Sequence, residues 1–299
     1  MHIVVVGAGA IGTLYAARLS QHHSVTLVTR TAERAAAIRE TGIRVTGLDE
    51  ATARVDATAR PTALDRDALV LLTTKVYDNA AAVRPLVPLL SAGSVILCLQ
   101  NGLNGEALVR ETVNGRCTVL RGVTTFGAIF VRPGVSSLQA GGDTAIEQHP
   151  ASATLADAFS ACDLAGRVSP DISREVWTKL VVNCVINPLT AITGMEVGWI
   201  ADPRLDPIKQ RVIDECLAVA RREGVVLEAD ILHRLNDTYR PSRNLSSMLQ
   251  DVANGRRTEI DFMNGAVADL GRRHGVPCPV NDGLAAIIRA LAPHVEQGR

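Results

Sequence analysis

Two groups of residues in this 299-residue chain have the types and spacing for chemistry. The first is Gly7-Ala8-Gly9-Ala10-Ile11-Gly12, which follows the apolar run His2-Ile3-Val4-Val5-Val6 and opens an amphipathic stretch reaching about residue 22. A strand, Gly-x-Gly-x-x-Gly and a helix, in that order, form the arrangement that receives a dinucleotide. The first glycine allows the tight turn, the second lets backbone approach a pyrophosphate, and the third lets helix pack close to strand. The helix start then offers N–H groups and a positive dipole end to the phosphates. The second group is Lys179, Asn183 and Asn187, spaced i, i+4, i+8 among Val181, Val182, Cys184, Val185 and Ile186. On a helix these three make one polar stripe. Such a stripe must face water or a ligand, or satisfy its amides on neighbouring backbone, because a buried unsatisfied amide costs ~1–3 kcal/mol.

Other polar residues sit where an open α/β sheet binds its ligand, at the C-terminal ends of strands. Residues 24–29 read as the second strand. It ends at Arg30, where an NAD enzyme would carry Asp or Glu for the ribose hydroxyl. An arginine there matches a 2′-phosphate in charge and shape, so NADP is the expected cofactor. Lys75 follows the strand 68–74, and Asn101 follows the strand 94–99 within Gln100-Asn101-Gly102. A further polar cluster spans 244–251 and 255–265. In it Ser246 and Ser247 could cap a helix, Thr258 is an expected N-cap, and Glu259 falls in the first turn of the next helix.

The elements that must position these residues change character along the chain. Up to about residue 168 strands and helices alternate, which predicts one doubly wound sheet. Residues 77–90 read as a helix kinked at Pro85, and 135–140 with 144–147 as a hairpin. Beyond residue 168 no strand is evident and helices are expected over 171–186, 202–223, 228–237, 244–251, 260–273 and 280–291, with Pro188 ending or kinking the first. Two domains follow, 1–168 for nucleotide and 169–299 for substrate and catalysis, with the ligand expected in a cleft between them.

Bulk composition excludes several classes. Lys plus Arg equals Asp plus Glu at 31 each and aromatics are 3%, so neither nucleic acid nor an acidic membrane is an expected partner. The six cysteines match no metal-site spacing and read as reduced thiols of a cytoplasmic protein. The first apolar run ends at Gly7 with no basic leader, so no signal peptide is expected, and no run of 18 apolar residues suggests a membrane span.

Taken together, Gln100-Asn101-Gly102, Lys179-Leu180-x-x-Asn183-x-x-x-Asn187-Pro188-Leu189-Thr190, Ser246-Ser247-Met248-Leu249-Gln250-Asp251 and Thr258-Glu259-Ile260-Asp261 make the chain resemble the ketopantoate reductases (2-dehydropantoate 2-reductases) over nearly its whole length. The resemblance implies a Rossmann domain followed by an all-helical domain like that of 6-phosphogluconate dehydrogenase. It implies NADPH-dependent reduction of a 2-oxo acid on the route to pantothenate and coenzyme A. By this resemblance Lys179 donates the proton, and Asn183, Asn187, Asn244 and Ser247 bind substrate. Glu259 holds the substrate hydroxyl and touches the cofactor ribose, and Asn101 contacts both cofactor and substrate. Arg30 and Lys75 hold the adenosine phosphate, and Ala128 marks a backbone position near the nicotinamide. Val197-Gly198 stands where many members have Asn-Gly, which leaves another branched 2-oxo acid or a lactone open as substrate. A non-enzymatic NADP-binding regulator is the rival reading, and a homodimer remains open; a regulator has no use for a proton donor such as Lys179.

Overall fold

A computed structural model describes residues 1–291, which divide into two compact units: Met1–Gln100 with Asn104–Ile172, and Asn101–Leu103 with Ser173 onward. The first unit carries strands β1 (His2–Val6), β2 (Ser24–Val28), β3 (Ile43–Gly47), β4 (Ala51–Ala53), β5 (Asp56–Thr58), β6 (Leu69–Leu72), β7 (Val95–Cys98), β8 (Thr118–Thr124), β9 (Gly127–Arg132), β10 (Val135–Ala140), β11 (Thr144–Ile146) and β12 (Gly166–Val168). Its helices are α1 (Ala10–Leu19), α2 (Ala32–Thr41), α3 (Asn79–Val83), α4 (Gly105–Val113) and α5 (Ser152–Ser160). The main sheet has eight strands in the order β12-β11-β8-β7-β6-β1-β2-β5. The six from β5 to β8 are parallel, and the order reverses between β1 and β6, the switch point at which such sheets bind ligands. Val6 pairs with both Val28 and Leu72, and Leu72 with Cys98, so the turns after β1, β2, β6 and β7 open on one edge.

Both faces of β1 are covered, which explains its unbroken apolar run. Ile3 and Val5 pack with Leu14 and Tyr15 of α1, while Val4 and Val6 pack with Val83, Leu86, Val109 and Val113 on the other face.

Several expectations need correction. The first unit holds two sheets rather than one, the second being the four-stranded β4-β3-β10-β9. The expected hairpin of 135–140 with 144–147 does not form: β10 pairs with β9 and β3, whereas β11 pairs with β8 and β12. The turn at Arg132-Pro133-Gly134, which the sequence also indicates, instead joins β9 to β10. Residues 77–90 are broken into a 3-10 turn Val76–Asp78, the short α3 and a second 3-10 segment Arg84–Leu89, because Pro85 and Pro88 each remove a donor. Helix α4 and edge strand β5 were not anticipated; α4 hides behind an Asn-Gly pair that signals only a turn.

Helices alone make up the described part of the second unit: α6 (Ile172–Thr193), α7 (Asp206–Arg222), α8 (Ile231–Tyr239), α9 (Ser247–Ala253), α10 (Asn264–His274) and α11 (Pro279–Leu291), with 3-10 turns at Val197–Ala201, Pro203–Leu205 and Ile260–Phe262. Helix α6 does not end at Pro188 but continues to Thr193. Proline has no N–H for the carbonyl four residues back, that of Cys184. The Asn264 amide nitrogen donates to that carbonyl at 2.9 Å, so the ladder has a substitute rung. With a mean hydropathy of 1.2, α6 is long and apolar enough to cross a membrane, yet 61% of that stretch is buried inside the protein, as in a core helix.

Candidate active site

The glycine turn of the first unit is fixed by sterics. Gly7 has φ +112° and donates its N–H to the Val28 carbonyl at 3.0 Å. A Cβ on Gly12 would lie 1.8 Å from the Gly7 carbonyl oxygen, so helix and turn touch backbone to backbone. Thr73, just past β6, bridges the Val6 and Gly7 carbonyls with its hydroxyl at 3.0 and 2.9 Å. A Cβ on Gly9, by contrast, would meet nothing within 4 Å. Gly9 is the N-cap of α1 and no side chain caps that helix, whereas Thr31 caps α2 by accepting from the Arg34 N–H at 3.4 Å. Open space, an uncapped helix start and half-buried Ala8, Ala10 and Ile11 beside it fit a nucleotide pyrophosphate.

Around the same edge, Arg30 is exposed after β2 and paired with Asp78, and half-buried Lys75 precedes the 3-10 turn Val76–Asp78. The Gln100 amide donates to the Leu72 carbonyl at 2.8 Å, tying the ends of β6 and β7. Asn79, fully buried, accepts from the Thr74 hydroxyl at 3.0 Å and donates to the Gly105 carbonyl at 3.2 Å. Ala128 is half-buried in β9 opposite Leu138, within the small sheet. Thr73, Asn79 and Asp78 were all missed by sequence reasoning. The only available signal was a hydroxyl, an amide or a carboxylate just beyond a strand's C-terminal end.

The second unit carries most of the polar residues singled out. Lys179 and Asn183 are half-buried on α6; Asn187, a turn further, is 4% exposed and donates to the Met263 sulfur at 3.4 Å. Thr190 on the same helix is buried, its hydroxyl 2.7 Å from that of Ser246. Ser246 is the N-cap of α9, accepting from the Leu249 N–H at 3.1 Å, so Ser247 becomes the exposed first residue of that helix. Asn244 is half-buried and its carbonyl accepts from the Val197 N–H at 2.8 Å. Glu259, 5% exposed, is the N-cap residue of the 3-10 turn Ile260–Phe262, one position earlier than expected, and Thr258 does not cap it. That turn holds the segment of Asn101: the Leu103 N–H donates to the Phe262 carbonyl at 2.9 Å, and a Cβ on Gly102 would lie 2.4 Å from the same oxygen. The sterics of Gly102 therefore set half-buried Asn101 beside the Glu259 turn.

The chain has three lysines. Within the second unit Lys209 is unfit for proton transfer. It is fully buried and its three hydrogens are taken by the Ile200 carbonyl, Asn236 Oδ1 and Asp206 Oδ1 at 2.5, 2.6 and 2.7 Å. That leaves Lys179 as this unit's accessible ammonium. No group of three or more His, Cys, Asp or Glu able to hold a metal occurs among the described residues.

A strand–glycine turn–helix at the switch point of a parallel sheet, with a helical unit whose accessible lysine shares its helix with two asparagines, fits a nicotinamide-dependent oxidoreductase of two-unit architecture. Sequence profiles described as "Ketopantoate reductase PanE/ApbA" and "Ketopantoate reductase PanE/ApbA C terminal" match residues 3–151 and 171–292. The chain is 34% identical to a 2-dehydropantoate 2-reductase of Halobacterium salinarum over 97% of its own length and 98% of that protein's, and equally identical to one of Vibrio cholerae. Among solved structures it resembles a PanE/ApbA family ketopantoate reductase from Ralstonia eutropha, at 32% identity and TM-score 0.89 over 98% of both chains. It also resembles a D-mandelate dehydrogenase seen with NADH and anilino(oxo)acetate, at 26% identity and TM-score 0.91 over 98% of both chains. The chain belongs to the ketopantoate reductase family.

Proposed function

We propose that this protein reduces 2-dehydropantoate to pantoate with NADPH, in the cytoplasm, on the route to pantothenate and coenzyme A. The reduced nicotinamide, when bound, supplies the hydride. Hydride arriving at a ketone carbon leaves negative charge on the oxygen, and the ammonium of Lys179 neutralises it and delivers the proton. Asn183, Asn187, Asn244 and Ser247 orient the substrate's carboxylate and hydroxyl without adding charge. A thioether is a weak acceptor, so Asn187 gives up little in turning from Met263 to a carboxylate. Glu259 accepts from the substrate hydroxyl and the cofactor ribose, and Asn101 contacts cofactor and substrate. Arg30 and Lys75 hold the 2′-phosphate, and Ala128 offers backbone near the nicotinamide. The observation that carries this reading is the single accessible lysine of the second unit, set on one helix face with Asn183 and Asn187. Six unpaired cysteines suit a reducing compartment.

A second substrate class is favoured by Val197. Where the family resemblance implies Asn, this side chain is 6% exposed inside the second unit's core and has no polar group to offer a ligand. The test follows loss of NADPH absorbance with 2-dehydropantoate beside the lactone and the 2-oxo acid corresponding to mandelate. The highest kcat/KM is expected for 2-dehydropantoate. Lys179→Ala should lower kcat ~10²–10⁴-fold with NADPH binding retained. A near-normal kcat in that variant removes Lys179 from the role.

A further inference from the structure

Arg30, the residue read as partner of the 2′-phosphate, already has an anionic partner. Its Nη2 lies 2.5 Å from Asp78 Oδ2, with the two side chains 73% and 32% exposed. Asp78 closes the 3-10 turn that starts from Lys75, its N–H donating to the Lys75 carbonyl at 2.9 Å. Two cations and one carboxylate thus stand beyond the ends of β2 and β6, where a dinucleotide's adenosine ribose is recognised in this kind of sheet.

The carboxylate treats the two nicotinamide cofactors differently. A 2′-hydroxyl can donate a hydrogen bond to it, as to the Asp or Glu of an NAD site. A 2′-phosphate carries close to two negative charges. It must either displace Asp78 from the guanidinium or lie beside a like charge. Arg30 favours the phosphate, and Asp78 opposes it. We infer that Asp78 is a specificity-determining residue that limits the preference for NADPH and admits NADH as a second hydride donor. This rests on the reading of Arg30 as the phosphate contact and adds the opposing half of the selector.

The experiment measures dissociation constants of NADPH and NADH for the full chain by nucleotide fluorescence, with no substrate present. Asp78→Asn keeps the shape and removes the charge. It should tighten NADPH relative to NADH by ~3–10-fold, the scale of one partly exposed charge pair, and the change should shrink with added salt. Asp78→Ser should act in the same direction. An unchanged ratio, or weaker NADPH binding as expected if Asp78 only steadies Arg30, overturns the inference. Arg30→Ala separates the two readings. If it leaves NADPH affinity intact, the assignment of Arg30 to the phosphate fails, whereas the Asp78 variants still report whether the carboxylate repels that phosphate.

Discussion

Helix α1 begins with no side chain on its first N–H groups, whereas the gap that Pro188 makes in α6 is filled by the Asn264 amide. Both places leave backbone polar groups without a helical partner. The first stays open beside a Gly9 whose missing Cβ faces empty space. The second lies in the core of the helical unit, with Asn264 fully buried. The difference teaches how to tell a ligand site from a repaired fault. A buried orphan is costly and must be satisfied from within, so the protein spends a side chain on it. An orphan at an accessible turn with no side chain near it is kept for a guest.

The sharpest way to test the first half compares two glycines three residues apart. Gly12→Ala forces a Cβ to within 1.8 Å of the Gly7 oxygen, with Thr73 Oγ1 at 2.6 Å on another side. The contact is backbone and cannot swing away, so a loss of about 3 kcal/mol is expected, with nucleotide binding abolished. Gly9→Ala should stay within about 0.5 kcal/mol of the parent, as an unobstructed substitution does. It should weaken nucleotide binding about tenfold, the loss of one charge-assisted hydrogen bond. Urea unfolding and nucleotide fluorescence check the pair. Equal stability for both variants would mean the turn relaxes freely and its shape is not set by contact.

The second half is tested by moving the fault. Asn264→Ala should cost ~2 kcal/mol, since it strands the Cys184 carbonyl. In a Pro188→Ala background the helix regains its own N–H, and the same substitution should cost distinctly less. Asn264 also donates to Asn281 Oδ1 at 3.0 Å, a contact that Pro188 does not affect. An identical cost in both backgrounds would assign the whole effect to Asn281 and discard the repair.

Legibility in the sequence follows the same division. The Gly7 turn could be read because sterics act over a few residues: a strand pattern, three glycines and a helix leave few alternatives. The ends of β2, β6 and β7 could be read because parallel strands bring the residues after them to one edge. What could not be read depends on partners far along the chain. Asn264 rescues a carbonyl 80 residues away, Thr190 meets Ser246 across 56, and β10 takes the distant β3 as its second partner instead of β11. Pro188 was judged by the local rule alone, which is correct only when nothing repairs it. Asp78 was passed over because a carboxylate on a turn has no periodicity to mark it, and only the structure puts it against Arg30.

A smaller effect probes whether the first unit's core follows the rule stated for α6. Tyr15 of α1 is fully buried, with Phe126 and Phe159 edge-on at 6.4 and 5.9 Å. Its hydroxyl is 2.6 Å from Thr144 Oγ1, and Thr144 in turn donates to the Leu164 carbonyl at 2.9 Å, so Tyr15 is the donor in this relay. Burial pushes the phenol up to about 12, against the opposing pull of hydrogen bonds to Thr124 and Thr144. The native state therefore holds the protonated form more tightly than the unfolded chain, whose tyrosine ionises near about 10. The resulting stability is complete below about pH 10 and is lost as pH rises through about 12. Tyr15→Phe should be less stable by ~1 kcal/mol at about pH 8, where the hydrogen bond is missed. The difference should narrow as pH climbs past about 10, because phenylalanine has no proton to lose. Denaturant midpoints for both proteins across that range decide it. A gap that stays constant would mean the phenol ionises no more easily in the unfolded chain than in the fold, and so is not sealed from water as the packing around it requires.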